Sequence, residues 1–293
     1  ISSSDWSSDV CSSDLSKPVV FDDLCKKAKD VLNDDYFLGT KMTMKVKNVK
    51  GINMTAEARA VEGKPVVSKI SGDFVPCDYC SVKKLSIDST GAVVADVDFT
   101  KLLKKTTFTL RSMKDFNEVG LKKVGVGAKV LCDRVAFDCS FDIVSQRYHA
   151  GIVGGLYGDL LGGVKVSGNC NGKPTTDFGL CYRVKDVVLS CVGYDLMKQG
   201  DLCVFYEMND KTRLSGVCHV KSFDEVPEML LGVAHKIGEN TEVRCKVSSS
   251  GCVSGCFKSS VDDKMTFSGS LSVDGKDLKS GNNRLGLGVE FLF

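Results

Sequence analysis

A chain of 293 residues with 43% apolar and 26% charged residues, 29 glycines and five prolines has the composition of a folded protein, not a disordered one. Its formal net charge of +2, with both signs spread along the whole length, gives no basic arm or stripe of the kind that binds nucleic acid. The longest stretches free of charge, Tyr148–Gly158 and Val247–Phe257 at 11 residues each, fall well short of the roughly 20 apolar residues a membrane helix needs, which excludes a helical membrane protein but not a closed barrel.

Residues 1–15 repeat a Ser-Ser-Asp unit found nowhere downstream, hold the sole tryptophan, Trp6, and resemble translated adapter sequence. They are read as a non-native or disordered leader with no part in the fold. After Pro18 the period changes. Phe21, Leu24, Ala28, Val31 and Leu32 fall on one face of a helix, with Asp22 and Asp23 early and Lys26, Lys27 and Lys29 later, as the helix dipole prefers. The spacing predicts one short amphipathic helix within residues 20–36. Period alone leaves open whether it merely plugs a core.

From Thr40 onward the period is two. In Lys41–Lys47 the methionines and Val46 lie on one face and the lysines and Thr43 on the other; Val93–Phe99, Thr106–Arg111 and Leu202–Met208 alternate in the same way. Turn signals such as Asn171-Gly172, Asn209-Asp210, Asp262-Asp263 and Asp274-Gly275 separate the segments at intervals of about 10 to 14 residues. The pattern predicts one all-β domain over 40–293, an antiparallel meander of about nineteen strands with no further helix. Segments of roughly 8 to 10 residues suit a tilted membrane strand. A barrel of so many strands is too wide for side chains to fill, so the apolar face is expected to meet lipid and the Lys, Asp, Thr and Arg face a wet lumen.

The stretch Leu271-Ser272-Val273-Asp274-Gly275-Lys276-Asp277-Leu278, followed by Gly281-Asn282-Asn283-Arg284-Leu285-Gly286-Leu287-Gly288-Val289-Glu290-Phe291, resembles the C-terminus of the mitochondrial porins, the voltage-dependent anion-selective channel family. Gly155-Leu156-Tyr157-Gly158-Asp159-Leu160-Leu161-Gly162-Gly163 and, in the helix, Asp23-Leu24, Lys26, Ala28 and Asp30-Val31 are similar to it as well. The resemblance runs from about residue 20 to the C-terminus. Nineteen is also that family's strand number, so the strand count carries weight only together with the resemblance.

The resemblance implies a voltage-gated, weakly anion-selective pore of the mitochondrial outer membrane with its helix in the lumen. Such a pore passes ions and metabolite anions, including ATP, ADP, phosphate and small organic anions. Its partners would be membrane lipid and a second copy of itself, with no nucleic acid and no required cofactor or metal; NADH or ATP would act as a regulatory nucleotide. In the family a helix lysine contacts nucleotide phosphates, and that position falls on Lys26, with Lys27 and Lys29 beside it. Positive charge there would draw anions into a low-dielectric path, although a solvated lysine face gives the same pattern. A second family lysine falls on Asp34. A nicotinamide dinucleotide site of the family maps to Cys252, Val253 and Ser254 and to Ser270, Leu271, Ser272, Val273 and Asp274. The family's assembly signal maps to Arg284, Gly286, Val289 and Phe291. A lipid-facing glutamate of the family falls at or near Leu85, where no acid is present.

Other features have plainer readings. Cys77 and Cys80 have zinc-like spacing without a second pair at the usual distance, and the fourteen cysteines are expected to be reduced thiols. Gly125, Gly127 and the glycines from 151 to 163 are expected to serve close strand packing, not phosphate binding. His149, His219 and His235 are scattered, and no catalytic group is expected. Two alternatives remain beside the metabolite pore. A protein-import barrel of the same membrane would usually carry an acidic lumen; a soluble β-barrel ligand carrier would not insert into lipid.

Overall fold

The computed structural model describes residues 18–49, 51–61, 63–116, 120–222, 225–276 and 283–293. The leader expected over residues 1–15 lies outside them. A 3-10 turn, Phe21–Asp23, leads into helix α1, Lys26–Asn33. The strands that follow are β1 Gly39–Val49, β2 Ile52–Ala60, β3 Val67–Cys77, β4 Cys80–Asp88, β5 Ala92–Leu103, β6 Thr106–Asp115, β7 Leu121–Leu131, β8 Val135–Asp142 and β9 Arg147–Tyr157. They continue as β10 Leu160–Asn169, β11 Thr175–Val184, β12 Val187–Tyr194, β13 Gln199–Asn209, β14 Thr212–Val220, β15 Glu228–Ile237, β16 Thr241–Ser248, β17 Cys252–Asp262, β18 Met265–Asp274 and β19 Arg284–Leu292.

Each strand pairs antiparallel with its sequence neighbours, and the sheet closes where β1 meets β19. Nineteen alternating directions leave the first and last strands pointing the same way, so this one seam is parallel, from Gly39 opposite Gly286 to Lys45 opposite Leu292. Closure leaves no unpaired edge. Gly39 sits at the seam with φ of 77°, and a Cβ there would run into the carbonyl oxygen of Ala60. Only glycine turns the chain into β1 at this point.

The period-two pattern sorts the faces as expected over most of the wall. Met44, Ile70, Leu110, Ile152, Leu202 and Leu231 stand on the outer face, each at least 40% exposed. Leu85, too, is exposed on that face. An apolar belt running right round the molecule is far larger than the few hundred Å² a water-soluble protein tolerates, and it fits a hydrocarbon surround. Inside, β1, β2, β5, β6 and β19 present paired charges: Lys41 with Glu57 at 3.3 Å, Lys45 with Glu290 at 2.8 Å and Arg111 with Asp96 at 2.9 Å. Thr109 donates to Asp98 at 2.8 Å.

One part of the inner wall departs from the expected polar lumen. From β9 to β15 the inward positions include Val153, Leu161, Val188, Val192, Phe205, Val217 and Ala234, all buried. They are buried because α1 lies on them. The core of this barrel is the contact between the helix and one side of its own wall.

Candidate functional site

The helix's apolar stripe consists of Phe21, Leu24, Ala28, Val31 and Leu32, each no more than 3% exposed. At about 25 cal/mol per Å², burying five such side chains supplies several kcal/mol of docking energy. The wall accepts them because several inward positions carry no side chain. A Cβ on Gly179 would stand 2.5 Å from Leu24 Cδ1, and one on Gly232 would stand 2.6 Å from Leu32 Cδ2. Close strand packing was the role expected for the glycines between 151 and 163, and Gly163 shows it beside a helix contact: a Cβ there would lie 2.7 Å from Val153 Cγ2 on the neighbouring strand and 3.1 Å from Phe21 Cδ2. Replacing Gly232 by valine is therefore expected to lift the last helical turn from the wall while the barrel still closes. Faster amide exchange over Val31–Asn33 with unchanged far-UV strand signal would be the observed result.

Polar anchors fix the helix's position along the wall. Ser190 Oγ donates to Leu24 O and Ser215 Oγ to Ala28 O, both at 2.8 Å. Lys165 Nζ reaches Asp22 at 2.6 Å. At the C-terminal end, where helix carbonyls lack intrahelical donors, β16 supplies cations. Lys246 Nζ donates to Leu32 O at 2.6 Å, and the Arg244 guanidinium donates to Asp30 O at 3.2 Å and Asp34 O at 3.3 Å. Arg244 also pairs with Glu242 at 2.7 Å and Asp35 at 3.3 Å, and Lys246 stands 4.0 Å over the Tyr36 ring. The positive charges complement the negative end of the helix dipole.

The three helix lysines have different surroundings. Lys26 has an exposed side chain facing the lumen, with Asp23 at 3.6 Å. Lys27 lies beside the wall, 5.7 Å from the centre of the Phe205 ring. Lys29 turns to the wall and meets Asp201 of β13 at 2.6 Å. The same carboxylate takes Tyr194 Oη at 3.1 Å and His219 Nδ1 at 2.5 Å. Burial, the largest single influence, works against the Lys29 charge, but the hydrogen bond to Asp201 and the electrostatic pull of Tyr194, Asp201 and Cys25 together raise the lysine above its ordinary pKa. Asp34, where the family has a second lysine, closes the helix in an extended conformation.

The positions mapped to a nicotinamide dinucleotide do not share one face. Cys252, Ser254, Ser270, Ser272 and Asp274 point inward, whereas Val253, Leu271 and Val273 point to the outer belt. Ser254 and Ser272 hydrogen bond to each other at 2.8 Å, and Ser270 is bonded to the Phe37 backbone. The assembly-signal positions divide in the same way. Arg284 and Gly286 face in; Val289 and Phe291 face out opposite Met42 and Met44. Gly286 has a visible structural reason, since a Cβ would collide with the Phe37 carbonyl where the chain from α1 to β1 crosses β18 and β19.

Sequence spacing missed two clusters. Asp201 with His219, Tyr194 and Lys29 is one, since nothing in the sequence pairs Asp201 with a residue 172 positions away. The other lies on the β8–β9 hairpin, where Ser140 Oγ meets His149 Nδ1 at 2.9 Å and Asp138 meets His149 Nε2 at 3.4 Å. This has the residue types of a hydrolytic relay. However, the neighbouring backbone amides are committed to the ladders on either side, which leaves no donors for an oxyanion.

Comparison with known proteins agrees with this geometry. The sequence profile of the eukaryotic porins matches residues 17–286. The voltage-dependent anion-selective channel of Drosophila melanogaster is 25% identical over 281 residues, covering 93% of this chain and 98% of that one. The non-selective voltage-gated ion channel VDAC2 of Homo sapiens is 22% identical, covering 96% and 97%. Among solved structures, a mutant of the Rh. blastica porin superposes with a TM-score of 0.50 at 10% identity, covering 80% of this chain and 96% of that one, a likeness of fold. With a closed nineteen-stranded barrel, an apolar outer belt and a family profile spanning nearly its whole length, this chain belongs to the eukaryotic porin family.

Proposed function

We propose that the protein is a voltage-gated, weakly anion-selective pore of the mitochondrial outer membrane that passes ions and metabolite anions such as ATP, ADP and phosphate. It acts as a channel and not as an enzyme. The observation that carries this reading is the pairing of a lipid-compatible exterior with a charged interior that the helix lines without filling. Paired charges on β1, β2, β5, β6 and β19 leave that side of the lumen nearly neutral, which favours weak over strong selectivity. The mixed signs also fit a metabolite path better than the acidic lumen of an import barrel. NADH or ATP as a regulatory ligand and a second copy as a lipid-embedded partner remain part of the same proposal.

Lys26 is the helix cation with the most open view of the path, so it carries the phosphate-contacting role inherited through the resemblance. Lys26→Glu is expected to move the reversal potential toward cation preference in a salt gradient. The shift should shrink as ionic strength rises and the Debye length falls below about 8 Å. Liposomes loaded with ATP and a large dextran test the function itself. Release of ATP with retention of dextran is the expected result, and retention of both would overturn the proposal.

A further inference from the structure

Every cysteine among the described residues is a free thiol, and one pair joins the helix to the barrel. Cys25 opens α1 and is 5% exposed; Cys203 lies inward on β13 and is 2% exposed. Two independent contacts hold the helix over this stretch of β13. Lys29, one turn after Cys25, grips Asp201, and Lys27 lies against Phe205. Cys203 is the inward residue between Asp201 and Phe205, so the docked helix sets Cys25 against it. Both side chains belong to the same buried cluster between helix and wall.

We propose that Cys25 and Cys203 form a peroxide-oxidisable dithiol whose disulfide fastens the lumen helix to the barrel wall. The Cys203 thiol beside it favours the Cys25 thiolate, against the opposing effect of burial, and the Lys29 ammonium adds to it, so the Cys25 pKa lies below the ordinary thiol value. Cys25 is therefore the attacking sulfur. Its thiolate takes one oxygen of hydrogen peroxide, the O–O bond breaks, hydroxide leaves, and a sulfenic acid forms. The Cys203 sulfur then attacks the sulfenic sulfur, forming the S–S bond, breaking the S–O bond and releasing a second hydroxide. The two thiol protons neutralise the two hydroxides, so two thiols and one peroxide give one disulfide and two waters. A peroxide is little larger than water, and the lumen brings it to the helix whenever the helix lifts from the wall.

The consequence is mechanical. Without the bond the helix is held by noncovalent contacts and can undock; with it, undocking is removed from the accessible states. Thiol reductants reverse the bond, so the device is a switch rather than a permanent staple.

The test uses the full chain in lipid vesicles, treated with hydrogen peroxide, alkylated, and digested without reductant. A peptide linking Cys25 to Cys203 is expected, together with amide exchange over α1 slowed by about tenfold or more and restored by a thiol reductant. Cys203→Ser should abolish both effects. Because serine is close to isosteric, exchange in the untreated variant should match the wild type, which shows that the helix still docks. Absence of the linked peptide while exposed Cys77 and Cys132 oxidise would overturn the proposal. Linkage of Cys25 to a different cysteine, or a linked peptide with unchanged exchange over α1, would overturn it as well.

Discussion

Arg244→Ala is expected to release the C-terminal half of the lumen helix while leaving the barrel closed. The guanidinium is nearly buried at 7% exposure, and Glu242, its 2.7 Å partner, is also buried at 9%. It satisfies carbonyls of Asp30 and Asp34 and pairs with Asp35. Alanine leaves two helix acceptors without their wall donor and takes the Arg244 partner from Glu242, which keeps Arg213 at 2.8 Å. Breaking a buried pair of this kind costs on the order of 3–5 kcal/mol, comparable to what the apolar stripe supplies. Arg244→Lys keeps the charge but loses the fork that serves several acceptors at once, so it should recover only part of the loss. Amide exchange over Lys26–Asn33 checks the prediction. Wild-type protection in the alanine variant would mean that the apolar stripe holds the helix without the cap.

Lys29→Glu should have an effect of similar size by a different route. It sets a carboxylate against the buried Asp201, whose side chain is 7% exposed. Two like charges at hydrogen-bond distance cannot both be accommodated there. Because Lys29 itself is 39% exposed, solvent screens part of the interaction, and the loss of docking energy is expected to be roughly 2 kcal/mol. The double variant Lys29→Glu with Asp201→Lys restores opposite charges and should recover most of the docking. Lys26→Glu changes the same charge three residues away and should leave docking intact, since the ion pair of Lys26 is with Asp23 of the same N-terminal segment and not with the wall. If both single variants behave alike, Lys29 is a lumen charge and not an anchor. The raised pKa of Lys29 has a sign that follows directly: the stabilisation is fully present below the ordinary lysine pKa and is lost only as pH rises through the higher folded value. Docking is therefore expected to be insensitive to pH across the neutral and mildly alkaline range.

The sequence made some of this legible for clear reasons. Strand identity follows from period-two alternation: Lys41 to Lys47, Val93 to Phe99 and Leu202 to Met208 lie in β1, β5 and β13. The helix face was legible because Phe21, Leu24, Ala28, Val31 and Leu32 share one side at 3.6 residues per turn. Where the helix rests was not legible. On β11, β12 and β13 both faces carry apolar or small residues, Leu180 beside Cys181 and Val204 beside Phe205, and alternation cannot distinguish lipid from a docked helix when both select apolar groups. Lys29 misled for a related reason. It lies at the edge of the apolar stripe, one turn beyond Cys25, and its direction is set by Asp201 in a strand far along the chain. The dinucleotide positions were carried over as a run of residues, and a β-strand splits any such run between two faces. Asp274-Gly275 marks the end of β18 as a turn signal should, although residues 277–282 beyond it lie outside the described part of the chain.

The central claim is that this barrel is a voltage-responsive pore whose helix lies in the path, and planar-bilayer recording of the refolded chain without residues 1–15 tests it most directly. Predicted are stable, large unitary conductance steps that fall to a lower level at both polarities of modest voltage, with the reversal potential shifted toward cations in Lys26→Glu. Failure to insert into the bilayer, or insertion with a conductance that ignores voltage and a reversal potential that ignores Lys26, would contradict it.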